Sequence, residues 1–212
     1  MSHLANPFDT GFYREGELRQ FGFKRVGKNV QIAKTCTIVG LDRIVIGDNV
    51  RIDGYCTLVV AGTGYLNIGT HVHIAAYSSL SASEGIELHD FSGLSQGVTI
   101  YSRSDDYSGE SLTNPTIPAK YTSVTRGAVV LGRHVIVGSG STVLPGVHIG
   151  DGSSVGAHSL VTHSLDPWGV YFGQPAKRLK ARSRTLLEKE VALLRATSAA
   201  AASPASKDSG EE

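Results

Sequence analysis

Cysteine, methionine and tryptophan are scarce in this chain: two, one and one among 212 residues. Two cysteines cannot frame a disulfide scaffold, and Cys36 and Cys56 read as a reduced pair of small buried residues. No apolar run approaches the roughly 20 residues that cross a bilayer, so no membrane span is expected. Residues 1–10 lack the apolar core of a secretory leader, which makes the cytoplasm the default compartment. A net charge of +1 supplies no basic excess, so neither nucleic acid nor an anionic membrane is an expected partner.

What the chain has in quantity is glycine, 25 residues, and a six-residue repeat with Leu, Ile or Val first. Clear copies are IGDNVR from Ile46, IDGYCT from Ile52, IGTHVH from Ile68, LGRHVI from Leu131 and IGDGSS from Ile149. Eighteen hexads fit between Val26 and Asp166, with phase resets at 44–45, 64–67, 86–87 and 106–130. Each reset follows a multiple of three hexads. Three hexads therefore make one triangular coil, and the extra residues all leave at one corner of a prism. A repeat this short is that of a β-solenoid, here of about six coils. The first residue of each hexad points inward and stacks on its equivalent one coil away, which suits branched aliphatics in buried parallel strands. The fifth place also turns inward and is small, as at Val30, Cys56, Val98, Ser141 and Ser153, whereas Asp42, Glu84 and Leu165 break that rule.

These hexads, together with GQPAK at Gly173–Lys177, resemble the hexapeptide-repeat acyltransferases, whose G-x-P-A-[KR] ending the segment matches. Within them the chain is most similar to the galactoside and maltose acetyltransferases and to sugar acetyltransferases of surface-glycan synthesis. The resemblance implies an all-β fold: a left-handed parallel β-helix with a long protruding loop, a short N-terminal cap helix and a C-terminal helix. The left-handed sense comes from the resemblance alone, since ordinary parallel crossovers are right-handed. The expected organisation is a cap at 1–25, with a helix over Glu15–Phe21 stopped by Gly22, and the acyltransferase β-helix at 26–182. An amphipathic helix at 183–196 and a disordered tail at 197–212 follow. The loop at 106–130 is too long for a plain connector, and such loops on a rigid solenoid usually carry function. In the resembling enzymes it reaches a neighbouring subunit and helps to enclose the acceptor.

Acyl transfer from a thioester needs a donor groove, a positioned acceptor, a base and hydrogen-bond donors for the oxyanion. The resemblance implies acetyl-CoA as co-substrate, direct attack in a ternary complex, no metal, and a histidine base at the mouth of the long loop. The chain departs from it there. After Val98, Thr99 and Ile100 come Tyr101, Ser102, Arg103, Ser104, Asp105 and Asp106, so Asp105 stands where the histidine is expected. The catalytic candidates are then His73, Asp105 and His148. His73 aligns with the acceptor-side strand of the resembling enzymes and is the preferred base, paired with an acidic residue from a neighbouring chain. Asp105 and His148 occupy the same hexad place one coil apart, and strand spacing of ~4.8 Å would stack them as a carboxylate–imidazole pair. An outward surface histidine is the plain alternative for both rings.

Tyr77 stands where the resembling enzymes often hold an acceptor-contacting asparagine. With Tyr101, Arg103, Asp106 and Tyr107 at the loop mouth, it completes the expected acceptor contacts. On the coenzyme side, Gly138, Ser139, Gly156 and Ala157 leave ledges on which a pantetheine arm can approach the backbone. Thr162, Pro175 and Ala176 belong to the same matched segment, and Lys177 and Lys180 are set to meet the coenzyme phosphates.

The expected function is acetyl-CoA-dependent O-acetylation of a sugar hydroxyl, in polysaccharide or lipopolysaccharide O-antigen synthesis. A homotrimer with active sites between subunits would perform it. The alternative is N-acetylation of a nucleotide-linked amino sugar, whose amine needs less base assistance than a hydroxyl. The chain lacks the extra N-terminal nucleotide-binding domain of some sugar N-acetyltransferases, which favours oxygen. A metalloenzyme would need a third ligand beside His158 and His163, and none is evident. A non-catalytic scaffold is opposed by the long loop and the intact GQPAK ending.

Overall fold

In the computed structural model, which describes Asn6 and residues 8–202, the hexads wind into a parallel β-solenoid. Strands of successive coils align in three sheets, one on each side of the prism. Face A runs in parallel from Gln31–Ala33 to Gly169–Phe172, and antiparallel strands Phe12–Arg14 and Lys177–Ala181 extend its two edges. Face C runs from Thr37–Val39 to Leu160–Val161, and face B from Arg25–Val26 to His148–Ile149. Six coils are complete, and Gly169–Phe172 adds a seventh rung to face A.

The first place of the hexads supplies the core, with Ile46, Ile52, Leu58, Ile74, Leu80 and Val143 almost fully buried. Fifth places are buried too, and their chemistry alternates. Valines fill the space, whereas three of the serines satisfy carbonyls that the turns leave open: Ser78 Oγ donates to Ala75 O (2.8 Å), Ser141 Oγ to Gly156 O (3.0 Å) and Ser153 Oγ to Asp166 O (2.8 Å), while the buried Ser92 Oγ has no partner among the described residues. Leu165 is buried as well. Cys36 and Cys56 are both free, and their thiols donate to the carbonyls of Asp53 (3.1 Å) and Ala75 (3.2 Å).

All four resets fall at the corner between faces C and B, but their ends are core and not spacer. Val60, Ala82 and Ser102, at the third place of the preceding hexad, turn inward, and Ile44, Leu66, Ile86 and Val129 are buried as the chain returns. Asp42 and Glu84 break the fifth-place rule because the chain has already left the coil by then. Asp42 lies in a 3-10 turn, Leu41–Arg43, and Glu84 pairs with Arg126 at 2.6 Å. The long insertion likewise begins earlier and ends earlier than 106–130. It leaves after Ser102 as a hairpin, Arg103–Asp105 paired antiparallel with Val124–Arg126.

The N-terminal cap is shorter than expected. Its helix is one turn, Glu15–Leu18, and Leu18 is buried against the first coil. The segment Ser183–Glu212 is a separate unit, with a helix over Leu186–Ala202. This helix overruns the expected tail because its Ala-rich end has high helix propensity, and the remainder of the tail, 203–212, lies outside the described residues. No helix among the described residues is long and apolar enough to cross a membrane.

Candidate functional site

Face A gathers the reactive groups. Each of its strands shows two outward residues flanking one inward residue, so the rungs build two outward columns. Strand register puts Arg51, His73, Gly93 and Ile136 in one column. Asp53, Ala75, Ser95 and Gly138 follow two residues on and fill the other. His73 stands one rung above Arg51, within reach of Asp53. Its Nε2 lies 2.8 Å from Asp53 Oδ2, while Arg51 Nε donates to Asp53 Oδ1 at 2.7 Å. The expected acidic partner therefore comes from the same chain and not from a neighbour. Partial burial alone would raise the Asp53 carboxyl, but the hydrogen bonds and charges of Arg51 and His73 outweigh it and hold the group below its usual value.

That shift carries a pH signature. Because the folded value lies below the unfolded one, Asp53 stabilises the fold above the unfolded pKa, and the contribution is lost as pH falls through the folded value. In urea titrations, wild type is expected to exceed Asp53→Asn in stability at neutral pH. The gap should close on acidification below about pH 4. A gap that is constant down to acid pH would mean that the ion pair contributes nothing.

His73 separates two depressions. One, of about 260 Å³, is lined by His73, Ala75, Gly93, Ser95, Gln96, Ile136 and Ser139. It exists because Gly93 leaves its place in the column empty; a Cβ there would meet nothing nearer than 3.9 Å. The other, of about 330 Å³, is lined by Asn49, Arg51, Asp53, His71 and His73. A larger depression, about 690 Å³, lies elsewhere, with Arg25, Asn67, His89, Asp90, Arg133 and Asp151 on its wall. Its carboxylates brace turns: Asp90 accepts from Thr70 N–H (2.7 Å) and Arg133 (2.9 Å), and Asp151 from Arg133 N–H (2.8 Å). On face A, by contrast, an imidazole, the carboxylate that engages it and a hydroxyl share one wall, which makes that face the candidate site.

The stacking of Asp105 on His148 does not occur. His148 pairs in register with Val130 and its N–H donates to Ser164 Oγ (3.0 Å), whereas Asp105 lies on the hairpin opposite Val124. The chain has left the coil before Asp105, so counting hexads through it put it on the wrong rung. Asp105 is half-buried, and its Oδ2 accepts from Asn114 N–H (3.2 Å), leaving Oδ1 unengaged among the described residues. Arg103 lies on the same strand opposite Arg126, and Tyr101 is an exposed residue on the last strand of face C before the hairpin.

Asp106 is a loop staple and not an open acceptor contact. Its Oδ1 accepts from Ser108 Oγ and N–H and its Oδ2 from Ser111 N–H and Oγ, and these bonds hold the carboxyl far below its usual range. Tyr107 is 92% exposed and touches nothing that would position it. Tyr77 is exposed at the corner between faces A and C, where it stacks on Tyr55.

On the coenzyme side the small residues have a reason inside the fold as well. A Cβ on Gly138 would lie 2.5 Å from Ala157 N, and one on Gly156 would lie 2.5 Å from the Phe172 ring. Ser139 lines the depression beside His73. Thr162 Oγ1 engages His163 Nδ1 at 2.7 Å, and Ala176 N–H donates to Leu160 O at 2.8 Å, fixing Pro175 and Ala176 beside the last coil. Lys177 and Lys180 are exposed on the edge strand of face A. The hairpin formed by Gly169–Phe172 and Lys177–Ala181 was missed, although the inward Tyr171 continues the first-place column. Among the described residues no group of three His, Cys, Asp or Glu could hold a metal.

Comparison with known proteins follows from this geometry. A family profile, Bacterial transferase hexapeptide (six repeats), matches residues 128–163. A dTDP-4-amino-4,6-dideoxy-D-glucose acyltransferase of Escherichia coli is 42% identical over 176 residues, 83% of this chain and 91% of that one. A serine-to-alanine variant of AntD, an N-acyltransferase from Bacillus cereus, solved with dTDP-4-amino-4,6-dideoxyglucose and coenzyme A, is 43% identical. It superposes with a TM-score of 0.84 over 88% of this chain and 99% of that one. A maltose O-acetyltransferase from Clostridium difficile shares the fold at 22% identity, with a TM-score of 0.53 over 86% of this chain and 80% of that one. The expectation of a sugar hydroxyl acceptor is thereby corrected: relatives that match nearly the whole chain at 42–43% identity act on an amino sugar, while a protein of Escherichia coli named for O-acetyl transfer in lipopolysaccharide biosynthesis matches at 29% over 63% of this chain and the maltose enzyme shares the fold alone.

Proposed function

The chain belongs to the hexapeptide-repeat acyltransferases, and from that premise we propose that it transfers an acyl group from coenzyme A to the amino nitrogen of a nucleotide-linked dideoxy sugar. The observation that carries this reading is near full-length similarity, at 42–43% identity, to enzymes named for that substrate or solved with it. A carboxylate at the loop mouth agrees with it. An amine below its pKa arrives as ammonium, which an anion such as Asp105 can hold, whereas a hydroxyl brings no charge to hold. The Bacillus cereus enzyme has been solved with substitutions at a serine and at an aspartate ten positions further on. Ser95 and Asp105 stand in that order at that spacing here.

The steps are these. Asp105 anchors the ammonium. His73, oriented by Asp53, takes one proton, and the freed nitrogen attacks the thioester carbon. The C–N bond forms, the C–S bond breaks, and the second proton leaves the nitrogen for the coenzyme sulfur. Ser95 lies in the depression beside His73, where its hydroxyl can fix the acceptor.

His73 and Ser95 lie on face A, while the Asp105 hairpin leaves the corner between faces C and B, opposite that face. A site holding all three takes the hairpin from a second copy, as a homotrimer would supply it. Light scattering at micromolar concentration is expected to give the mass of three chains; a monomer would remove the shared site. Lys177 and Lys180 are assigned to the coenzyme 3′-phosphate. Lys177→Ala and Lys180→Ala should weaken coenzyme A more than 3′-dephospho-coenzyme A, and equal weakening would refute the assignment.

The function is tested by supplying dTDP-4-amino-4,6-dideoxyglucose with acetyl-CoA or 3-hydroxybutyryl-CoA. The product should gain the mass of the acyl group and survive mild alkali, as an amide does. An alkali-labile product, or none, overturns the reading.

A further inference from the structure

From the second coil to the sixth, the corner between faces A and C carries one left-handed residue per coil. In order these are Tyr55, Tyr77, Gly97, Gly140 and His158, with φ between 55° and 68°. Their N–H groups tie each rung to the one before: Tyr77 to Gly54 O, Gly97 to Ala76 O, Gly140 to Gln96 O and His158 to Ser139 O, all within 2.8–3.1 Å. Equivalent side chains in such a column lie face to face, one strand spacing apart. Tyr55 and Tyr77 do so, with ring centroids 5.2 Å apart and planes inclined by 7°. Both rings are more than half exposed, at 60% and 64%.

The corner between faces B and A shows how the fold treats gaps in such a column. There His71, Phe91 and His134 stack in sequence at 4.7 and 5.0 Å. The glycine that follows, Gly152, is covered by the ring of Trp168 from the next rung, 2.5 Å from where a Cβ would stand. At the tyrosine corner, Gly140 is covered in the same way by His158, at 2.6 Å. Gly97 is not covered. A Cβ there would meet only Gly140 N, at 3.9 Å. The ladder thus has one open rung, bounded below by the face of Tyr77. That rung borders the depression of His73 and Ser95, whose wall residues Gln96 and Ser139 immediately precede Gly97 and Gly140.

We infer that the open rung at Gly97 receives the nucleobase of the nucleotide-sugar acceptor, stacked on Tyr77. The inference rests on the amino-sugar reading for the identity of the ligand, and on the ladder for the place. A planar ring there continues the stack at the spacing the protein's own rings use. The adenine of coenzyme A is the less suited occupant. The lysines assigned to its phosphate lie at the far edge of face A, beyond Gly140, His158 and Gln174.

The test is direct binding of dTDP and of coenzyme A, measured separately by calorimetry on the full chain. Tyr77→Ala should weaken dTDP by roughly 5- to 100-fold, and Tyr77→Phe should retain wild-type affinity. Gly97→Tyr fills the rung with a protein ring, in a backbone conformation that Tyr55 and Tyr77 already adopt. It should abolish dTDP binding and leave coenzyme A binding intact, with the loss of thermal stability that a side chain at positive φ carries. The inference is overturned if both variants bind dTDP as wild type does, or if they lose coenzyme A instead. It is equally overturned if Gly97→Tyr changes the oligomeric mass while dTDP still binds. Wild type that binds dTDP but acylates no amino sugar would sink the proposed reaction and leave the nucleobase site standing. Wild type that binds no dTDP would sink both.

Discussion

Asp105→Asn is expected to lower kcat/KM for the amino-sugar acceptor by on the order of 10²–10³, while leaving coenzyme A affinity unchanged. The loss should fall chiefly on KM, because the carboxylate acts on the acceptor's ammonium before chemistry begins. Asparagine keeps the shape and can still accept from Asn114 N–H, the bond that positions the side chain. What it removes is the charge. An ammonium drawn out of water beside a neutral amide loses its compensation, which costs about 3–5 kcal/mol when the pair is buried. The shared-site geometry gives a second readout. In the proposed trimer, Asp105→Asn and His73→Ala should each be nearly inactive when the acceptor is held well below its KM, yet subunits exchanged between them should regain activity, since some interfaces then carry both native residues. Absence of recovery after proven exchange would put both residues in one chain's site. An Asp105→Asn enzyme with unaltered KM would remove the carboxylate from acceptor recognition.

How far the sequence discloses this arrangement depends on whether a residue lies in register. The hexad fixes inward places because its period equals the structural repeat, so Ile52, Ile74 and Val98 could be read off as core. It also places Arg51–Ile52–Asp53 directly below His73–Ile74–Ala75, so the His73–Asp53 pair is legible from IDGYCT and from IGTHVH, whose last residue is His73. Register fails where the chain leaves the coil. Asp105 counts as a sixth place in the hexad pattern, although the chain leaves the coil after Ser102 and the hairpin has its own pairing. Nothing in the spacing of YSRSDD distinguishes the two, since a short strand reads alike in a coil and in a hairpin. Asp106 shows a different limit. An aspartate followed by serines two and five residues on is a turn signal, and its oxygens are consumed locally before any ligand can use them. The choice between oxygen and nitrogen as acceptor was not in the repeat at all, because both acceptors can use the same solenoid and the same thioester donor.

His73→Ala is expected to lower kcat by on the order of 10²–10⁴ with little change in KM for either substrate. The ring lies between two depressions, one of which it shares with Ser139, and its removal should chiefly strip the step in which nitrogen loses its proton. Asp53 makes the assignment testable beyond a simple loss. Its Oδ2 sits 2.8 Å from His73 Nε2, which fixes the ring's orientation and leaves Nδ1 as the nitrogen that can accept. Asp53→Asn should then give a smaller fall than His73→Ala. Combining the two should cost no more than His73→Ala alone, because a positioning residue has nothing left to position. The pH–rate profile offers the sharper distinction. In wild type, kcat should fall on the acid side as the base becomes protonated, and His73→Ala should lose that limb along with its rate. Imidazole added to the buffer should restore part of the activity of His73→Ala, and in proportion to its neutral fraction, if the missing group is a base. If His73→Ala keeps near-native kcat and the acid limb, the amine is losing its proton before it binds or to the departing sulfur, and Asp105 alone carries the protein's part in the reaction.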